Sequence, residues 1–176
     1  SGSDTDRVIT QLVQQFSPTS TFFDVGGGNG CVSHALEKAG IETVLVEPGP
    51  TSAPNAMQRG VKHVVQSTLE DAGFAPGSFP SVGLFDVIEH VKHDDAFLRM
   101  VHDVVQPDGT AYVTVPAFQF LWSADDVHAV HYRRYTMTSL TRVLTEAGFD
   151  VQFCSYMFSF LVPPIWLLRS PPSWFG

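Results

Sequence analysis

The sequence predicts an α/β domain built on a doubly wound, mostly parallel sheet with helices on both faces. Three observations carry that prediction. Short β-branched and aromatic runs alternate with stretches of helical periodicity; glycines close most of those stretches; and the first strand opens onto a glycine-rich turn that leads into a helix. With 176 residues one hydrophobic core suffices, so a single domain is expected over 1–176, with its core at about 7–157 and an apolar tail at 158–176.

Val8, Ile9, Leu12, Val13 and Phe16 recur at helical spacing after the polar Asp4 to Asp6 stretch and predict a first amphipathic helix, which Pro18 stops. Strands at 21–25, 43–47 and 62–66 then alternate with helices at 30–39 and 52–59, the two helices closed by Gly40 and Gly60. A fourth strand at 81–85 precedes a helix on which Phe97, Leu98, Val101, Val104 and Val105 form one stripe. Pro107 and Gly109 end it, and a fifth strand follows at 110–115. The pattern then changes. A polar and aromatic insertion, "AFQFLWSADDVHAVHYRRYT", separates the fifth strand from a helix whose Leu140, Val143, Leu144 and Ala147 face the core. Gly148 closes that helix, and a sixth strand is expected at 150–156.

Ten basic residues stand against 18 acidic ones, a net charge of −8, which disfavours nucleic acid as a partner because backbone binders rely on clustered Lys and Arg. Cys31 and Cys154 make no disulfide framework, and a reducing cytoplasm is the plain reading. The apolar run from Phe158 to Leu168 is well short of the roughly 20 residues a membrane span needs, and Pro163 with Pro164 interrupts it. No transmembrane span is expected. Peripheral membrane contact through 158–168, docking in a partner groove, or covering the core are the readings left open. The leading "SGSDTD" lacks a signal-peptide layout and reads as a flexible leader.

The turn after the first strand reads "FFDVGGGNG", residues 22–30. Gly26, Gly28 and Gly30 let the backbone pass close to a ligand, and the next helix begins with unpaired amides aimed at it. Glu47, at the end of the second strand, is placed where a carboxylate can accept both ribose hydroxyls of an adenosine. Turn and acid together point to an adenosine-containing ligand over the strand ends. The dinucleotide pattern G-x-G-x-x-G fits poorly, because its third glycine falls on Cys31 or on Ser33 depending on where counting starts. Asp24 decides between ligand classes. A carboxylate beside the turn repels a pyrophosphate but attracts a sulfonium with an ammonium group; the alternative is that Asp24 caps nearby loop amides.

With these residues in place the sequence resembles the class I S-adenosylmethionine-dependent methyltransferases, over about 22–153. The stretch "LFDVIEHVKHDDAFLRMVHDVVQPDGTAYVTVPA" is similar to that family's segment from the fourth strand through the fifth. The resemblance implies the methyltransferase type of Rossmann-like fold with S-adenosyl-L-methionine as cofactor. It places Asp24 and the turn formed by Gly26, Gly27, Gly28 and Gly30 against the methionine part, Glu47 with Pro48 at the ribose, and Thr68 and Leu69 beside the adenine. Phe85, Asp86 and Val87 would close the other side, with Glu89 and His90 near the methyl-transfer centre. Pro80 departs from the aspartate many relatives carry there, and Ser67 with Thr68 replaces a common Gly-Asp pair. The insertion resembles a segment of bacterial methyltransferases with an aromatic-Ser-x-x-Asp stretch followed by His-x-Arg-Arg-Tyr. The family usually adds a seventh, antiparallel strand, whereas "MFSFLVPPIWLLRSPPSWFG" reads as a helix or a docking tail.

Within the insertion, Ser123 and Asp126 form a capping-box-like helix start, after which Asp125, His128 and His131 or Tyr132 share a face by three- and four-residue spacing. His131 is the first candidate for a general base and His90 the second. Arg133 and Arg134 suit an anionic substrate group by their bidentate forks, or equally a neighbouring carboxylate such as Asp125 or Asp126. Tyr135 and Trp122 complete the candidate substrate residues. The spacing of Asp125, His128 and His131 permits a metal, but a three-ligand set on a loop lacks a fixed second shell, and no metal is expected. Phe118, Phe120, Leu121 and Trp122 serve either as core or as an apolar lid. The expected activity is methyl transfer from S-adenosylmethionine to a small-molecule or lipid-linked acceptor. The alternatives are an NAD-dependent oxidoreductase and a non-catalytic S-adenosylmethionine-binding module.

Overall fold

The computed structural model describes residues 4–16 and 21–157; the apolar tail expected from 158 onward lies outside them. The chain divides into two compact units, one reaching to Val87 and taking in Arg99–Thr114, the other joining Ile88–Leu98 to the chain from Val115 on.

The first unit holds the sheet. Its strands are β1 (Phe22–Val25), β2 (Thr43–Val46), β3 (Val64–Val65), β4 (Phe79–Phe85) and β5 (Val105–Thr114), in the order β3-β2-β1-β4-β5. Every pairing is parallel. Strands such as "FFDV" and "TVLV" are apolar almost throughout because both faces of a parallel sheet are covered. The helices are α1 (Asp4–Phe16), α2 (Cys31–Lys38) and α3 (Ser52–Arg59). The chain winds from β1 toward β3, then restarts beside β1 with β4, so β1 and β4 flank the point where strand order reverses. Open α/β sheets leave a crevice there at the carboxyl ends of the strands. One core cluster joins Ile9 and Val13 of α1 to Phe22 of β1 and to Val32 and Leu36 of α2. Phe22 stacks on Phe85 of β4 with ring centroids 6.2 Å apart. Across the sheet Phe23 stacks on Phe79 at 3.7 Å.

Two strand expectations are corrected. The fifth strand begins at Val105, which pairs with Phe79, whereas Thr110 pairs with Ser81. The residues around Pro107 therefore bulge out of the ladder, with Asp108 in the left-handed region at φ 63°. The sixth strand, expected at 150–156, is absent from the described residues. A strand exists through its ladder partners, and Phe153 is 78% exposed, so no burial favours an extended pairing there.

The second unit holds a 3-10 turn at Ile88–His90, the start of α4 (Asp94–Val104), a second 3-10 turn at Gln119–Leu121, and the helices α5 (Ala124–His128) and α6 (Met137–Glu146). Leu140, Val143, Leu144 and Ala147 are buried as their periodicity predicts. Thr136 and Ser139 start α6 with a capping box. Of the four apolar residues at the head of the insertion Leu121 is buried and Phe120 is exposed; Phe118 packs its ring 4.6 Å from that of Tyr156. Among the described residues no helix is long and apolar enough to cross a membrane.

Phe22 is fully buried between two rings and a helix pair. Phe22→Ala is expected to lower unfolding free energy by about 3–5 kcal/mol, read as a shift in the urea midpoint at unchanged slope.

Candidate functional site

At the carboxyl ends of β1 and β4 the first unit has a cleft of about 300 Å³. Asp24, Gly26, Gly27 and Gly28 form its floor together with Cys31 and Val32 of α2; Phe85 and Asp86 stand at the end of β4, and Thr5, Asp6 and Ile9 of α1 also line it. Asp24 is fully buried. Its Oδ2 accepts a 2.6 Å hydrogen bond from the Ser33 hydroxyl, while Oδ1 has no hydrogen-bond partner among the described residues. Burial pushes its pKa up to about 6, the hydrogen bonds from Ser33 pull the other way, and the charge of Glu47 adds to the rise.

The turn is shaped around this carboxylate. A Cβ on Gly27 would collide with the Asp24 side chain and with Leu45, so no larger residue fits over the buried acid. Gly28 sits at φ 54°, and the space where its Cβ would stand is open, which leaves bare backbone facing outward. Gly30 precedes the first turn of α2. The Val87 side chain lies 2.9 Å from where a Cβ on Gly26 would be.

Glu47 is buried, and its carboxylate is engaged: Oε2 accepts from the Gly28 amide at 2.9 Å and Oε1 from the Gly49 amide at 2.8 Å. Each oxygen has a second lone pair, so the acid holds the turn and keeps acceptor capacity. Pro48 beside it is exposed. Thr68 is exposed and turned to Asp71, with its hydroxyl 2.7 Å from Oδ2, whereas Leu69 is buried. Asp86 takes a left-handed φ of 54°, fixed by its amide donating to the Thr114 carbonyl at 3.0 Å. Gly30, Glu47, Pro48, Thr68, Leu69 and Val87 stand outside the cleft lining.

In the second unit, the insertion is organised by two acids. Asp126 is buried and accepts from Arg134 through Nε at 2.8 Å and Nη2 at 3.0 Å, from the Ser123 amide at 2.8 Å, and pairs with His131 Nδ1 at 2.9 Å. Burial alone would raise its pKa, but the bonds from Arg134, His131 and Ser123 outweigh it and hold the carboxyl well below the usual range. Asp94 forms an ion pair with Arg133 and accepts from the Tyr135 hydroxyl at 2.7 Å; Arg133 also donates to the Lys92 carbonyl at 2.7 Å. Burial works against the Asp94 charge, yet these partners keep its carboxyl below the ordinary value. Of the two readings open for Arg133 and Arg134, pairing with carboxylates is the one realised. Trp122 is half-buried, its amide bonded to the Gln119 carbonyl.

The face expected to carry Asp125, His128 and His131 does not form. α5 ends at His128, and Val130 turns the chain through a left-handed φ of 59°. His131 thereby folds back onto Asp126, while His128 is exposed with Nδ1 2.8 Å from the Ala124 carbonyl. His131 meets His90 instead, the rings edge-to-face at 4.6 Å.

Comparison with known proteins accords with this architecture. The family described as "Methyltransferase domain" matches residues 2–152. The chain belongs to that methyltransferase-domain family. A ubiquinone biosynthesis O-methyltransferase of Xanthomonas campestris pv. campestris (strain B100) is 28% identical over 103 residues, covering 55% of this chain and 43% of the relative. An uncharacterized methyltransferase of Mycobacterium sp. (strain JLS) is 29% identical over 135 residues, covering 73% and 53%. The chain thus spans about half the length of the curated relatives it matches. Among solved structures, a SAM-dependent methyltransferase of Thermotoga maritima superposes with a TM-score of 0.69 at 23% identity, covering 83% of this chain and 72% of that one, a likeness of fold.

Within this methyltransferase domain, sequence reasoning missed Ser33, the contribution of α1 to the cleft, and Asp94 as an anchor of the insertion; Asp126 was foreseen as the capping acid and as a partner for the arginines. A small hydroxyl side chain in the first turn of the helix after the glycine turn was the available signal for Ser33. Which strand ends α1 covers depends on tertiary packing and has no local signal.

Asp24 also makes stability depend on pH. Its folded pKa is above its unfolded value, so the folded state binds the extra proton between about pH 4 and 6; the burial cost is fully present above pH 6 and is relieved as pH falls toward 4. Asp24→Asn is therefore expected to be more stable than the parent at pH 8 by about 3 kcal/mol, the gap shrinking between pH 6 and 4. Urea unfolding of both proteins across that range checks it.

Proposed function

We propose that the protein transfers a methyl group from S-adenosylmethionine to a small-molecule acceptor, free or lipid-linked. The observation that carries the proposal is the buried Asp24 carboxylate, one oxygen unpartnered, in a cleft floored by a glycine turn at the reversal of strand order. Such a group is costly without a cation and repels a pyrophosphate. The cleft therefore fits a ligand that is positive at its amino-acid end and adenosine at the other. When bound, S-adenosylmethionine supplies an electrophilic methyl group on a sulfonium and leaves as S-adenosylhomocysteine.

The chain's residues are assigned as follows. Asp24 faces the cationic end, and the backbone of Gly26, Gly27, Gly28 and Gly30 passes close to it. Glu47, beside Pro48, keeps acceptor capacity for the ribose hydroxyls while pinning the turn. Thr68 and Leu69 are assigned to the adenine, and Phe85, Asp86 and Val87 to the opposite wall.

On the acceptor side we assign His131 and His90. Because Asp126 is held ionised, Nδ1 of His131 donates to it, so that in the neutral ring Nε2 is the atom that would take a proton from an acceptor hydroxyl. Trp122 offers an apolar wall, and Arg133, Arg134 and Tyr135 hold the insertion in shape. The relatives named for O-methylation in ubiquinone biosynthesis favour an oxygen acceptor.

Thermal unfolding with S-adenosylmethionine, S-adenosylhomocysteine and NAD tests the reading. The first two, at a hundred times Kd, are expected to add about 2.7 kcal/mol and NAD nothing. Affinity for S-adenosylmethionine should fall about tenfold per pH unit below pH 6 as Asp24 takes up its proton, and Asp24→Asn should bind weakly at every pH. A shift with NAD, or with none of the three, overturns the proposal.

A further inference from the structure

Three side chains of types that can ligate a metal, two of them adjacent in sequence and the third from the insertion, converge in the second unit. Ligand atoms of Glu89, His90 and His131 all lie within 4.8 Å of one another. Glu89 is fully buried, His131 is largely buried, and His90 is exposed, so the group has both a fixed wall and an open side. Backbone ties fix the two segments: the Tyr132 amide donates to the Glu89 carbonyl at 2.7 Å, directly beside His131. Glu89 and His90 both come from the 3-10 turn at Ile88–His90.

A second feature is independent of the convergence. His131 is held through Nδ1 by a buried carboxylate, Asp126, which is itself fixed by Arg134 and by the Ser123 amide. That is the carboxylate–histidine arrangement by which proteins set the tautomer and orientation of a metal-ligating imidazole, leaving Nε2 to coordinate. The second shell that was lacking for Asp125, His128 and His131 is present for this other trio.

We propose that Glu89, His90 and His131 form a binding site for a first-row divalent transition cation of the zinc, cobalt or manganese type. Two imidazoles and one carboxylate make an intermediate donor set suited to such ions, and three protein ligands leave positions open to water or to an acceptor oxygen. Ligand bonds of about 2.1 Å require the three atoms to sit roughly 3–4 Å apart, so a bound cation would draw them in from a spacing that already lies within 4.8 Å. The inference deepens the proposed function and rests on its assignment of His90 and His131 to the acceptor side: the pair would act through a shared cation, with His131 as ligand in place of base.

The test uses the full chain freed of metal by chelation and titrated with Co²⁺, then with Zn²⁺ in competition. The expected result is one equivalent of Co²⁺ with the visible absorption of a low-coordinate nitrogen and oxygen site, displaced by Zn²⁺. His90→Gln and His131→Gln should each lose that spectrum, Asp126→Asn should weaken binding about 10- to 100-fold, and His128→Gln should leave it intact. His90 is exposed, so its variant carries the test even where His131→Gln or Asp126→Asn fails to fold. Absence of the spectrum in the parent, or its persistence in His90→Gln, overturns the site. The thermal response to S-adenosylmethionine, followed in the same samples, separates this failure from failure of the cofactor reading.

Discussion

A buried carboxylate near the end of a central parallel strand, its hydrogen bonds coming from Ser33, sets the terms for the sheet-bearing unit. Asp24 is at once a strand residue, paired opposite Leu45 and Gly83, and the polar floor of the cleft. Its burial dictates its neighbours. Gly27 must lack a side chain because the acid and Leu45 occupy that space, Ser33 must bring a small donor on the first turns of α2, and Glu47 must turn its own charge to the amides of Gly28 and Gly49. The turn is thus built from the acid outward, and the open space beside the Gly28 backbone is a consequence of that packing.

The second unit treats its buried acid in the opposite way. Asp126 has its charge met by a guanidinium fork, an imidazole and an amide, which fixes it as an anion, whereas Asp24 keeps one oxygen unmet and its charge unstable. A satisfied buried ion organises structure, and an unsatisfied one awaits a ligand. The same logic accounts for the arginines of the insertion: Arg134 is paired with Asp126, and Arg133 with Asp94 and the Lys92 carbonyl.

Much of this was legible in the sequence, for identifiable reasons. The parallel sheet follows from short apolar runs such as "FFDV" and "TVLV", and α3 is found where the sequence places it, at Ser52–Arg59, because Gly60 stops it in a left-handed conformation. The cleft lined by Asp24 and the glycines was legible because those residues are contiguous in sequence, so their grouping survives without knowledge of packing. What failed was decided at a distance. Val105 reads as the last position of a helical stripe, yet the ladder with Phe79 claims it for β5; and residues 150–156 read as a strand but find no ladder partner among the described residues. Helical spacing put Asp125, His128 and His131 on one face, and the left-handed Val130 ended that face before His131 was reached.

That broken periodicity has a functional side. A non-glycine residue in the left-handed region costs free energy, and the insertion accepts it at Val130 although a β-branched side chain is among the least tolerant of that conformation. The return is a histidine delivered to two partners that no continuous helix could offer together: Asp126 on Nδ1 and His90 against its ring. The capping box at Ser123 fixes the start of α5 and the strained turn fixes its end, so that His131 is located by its flanking backbone.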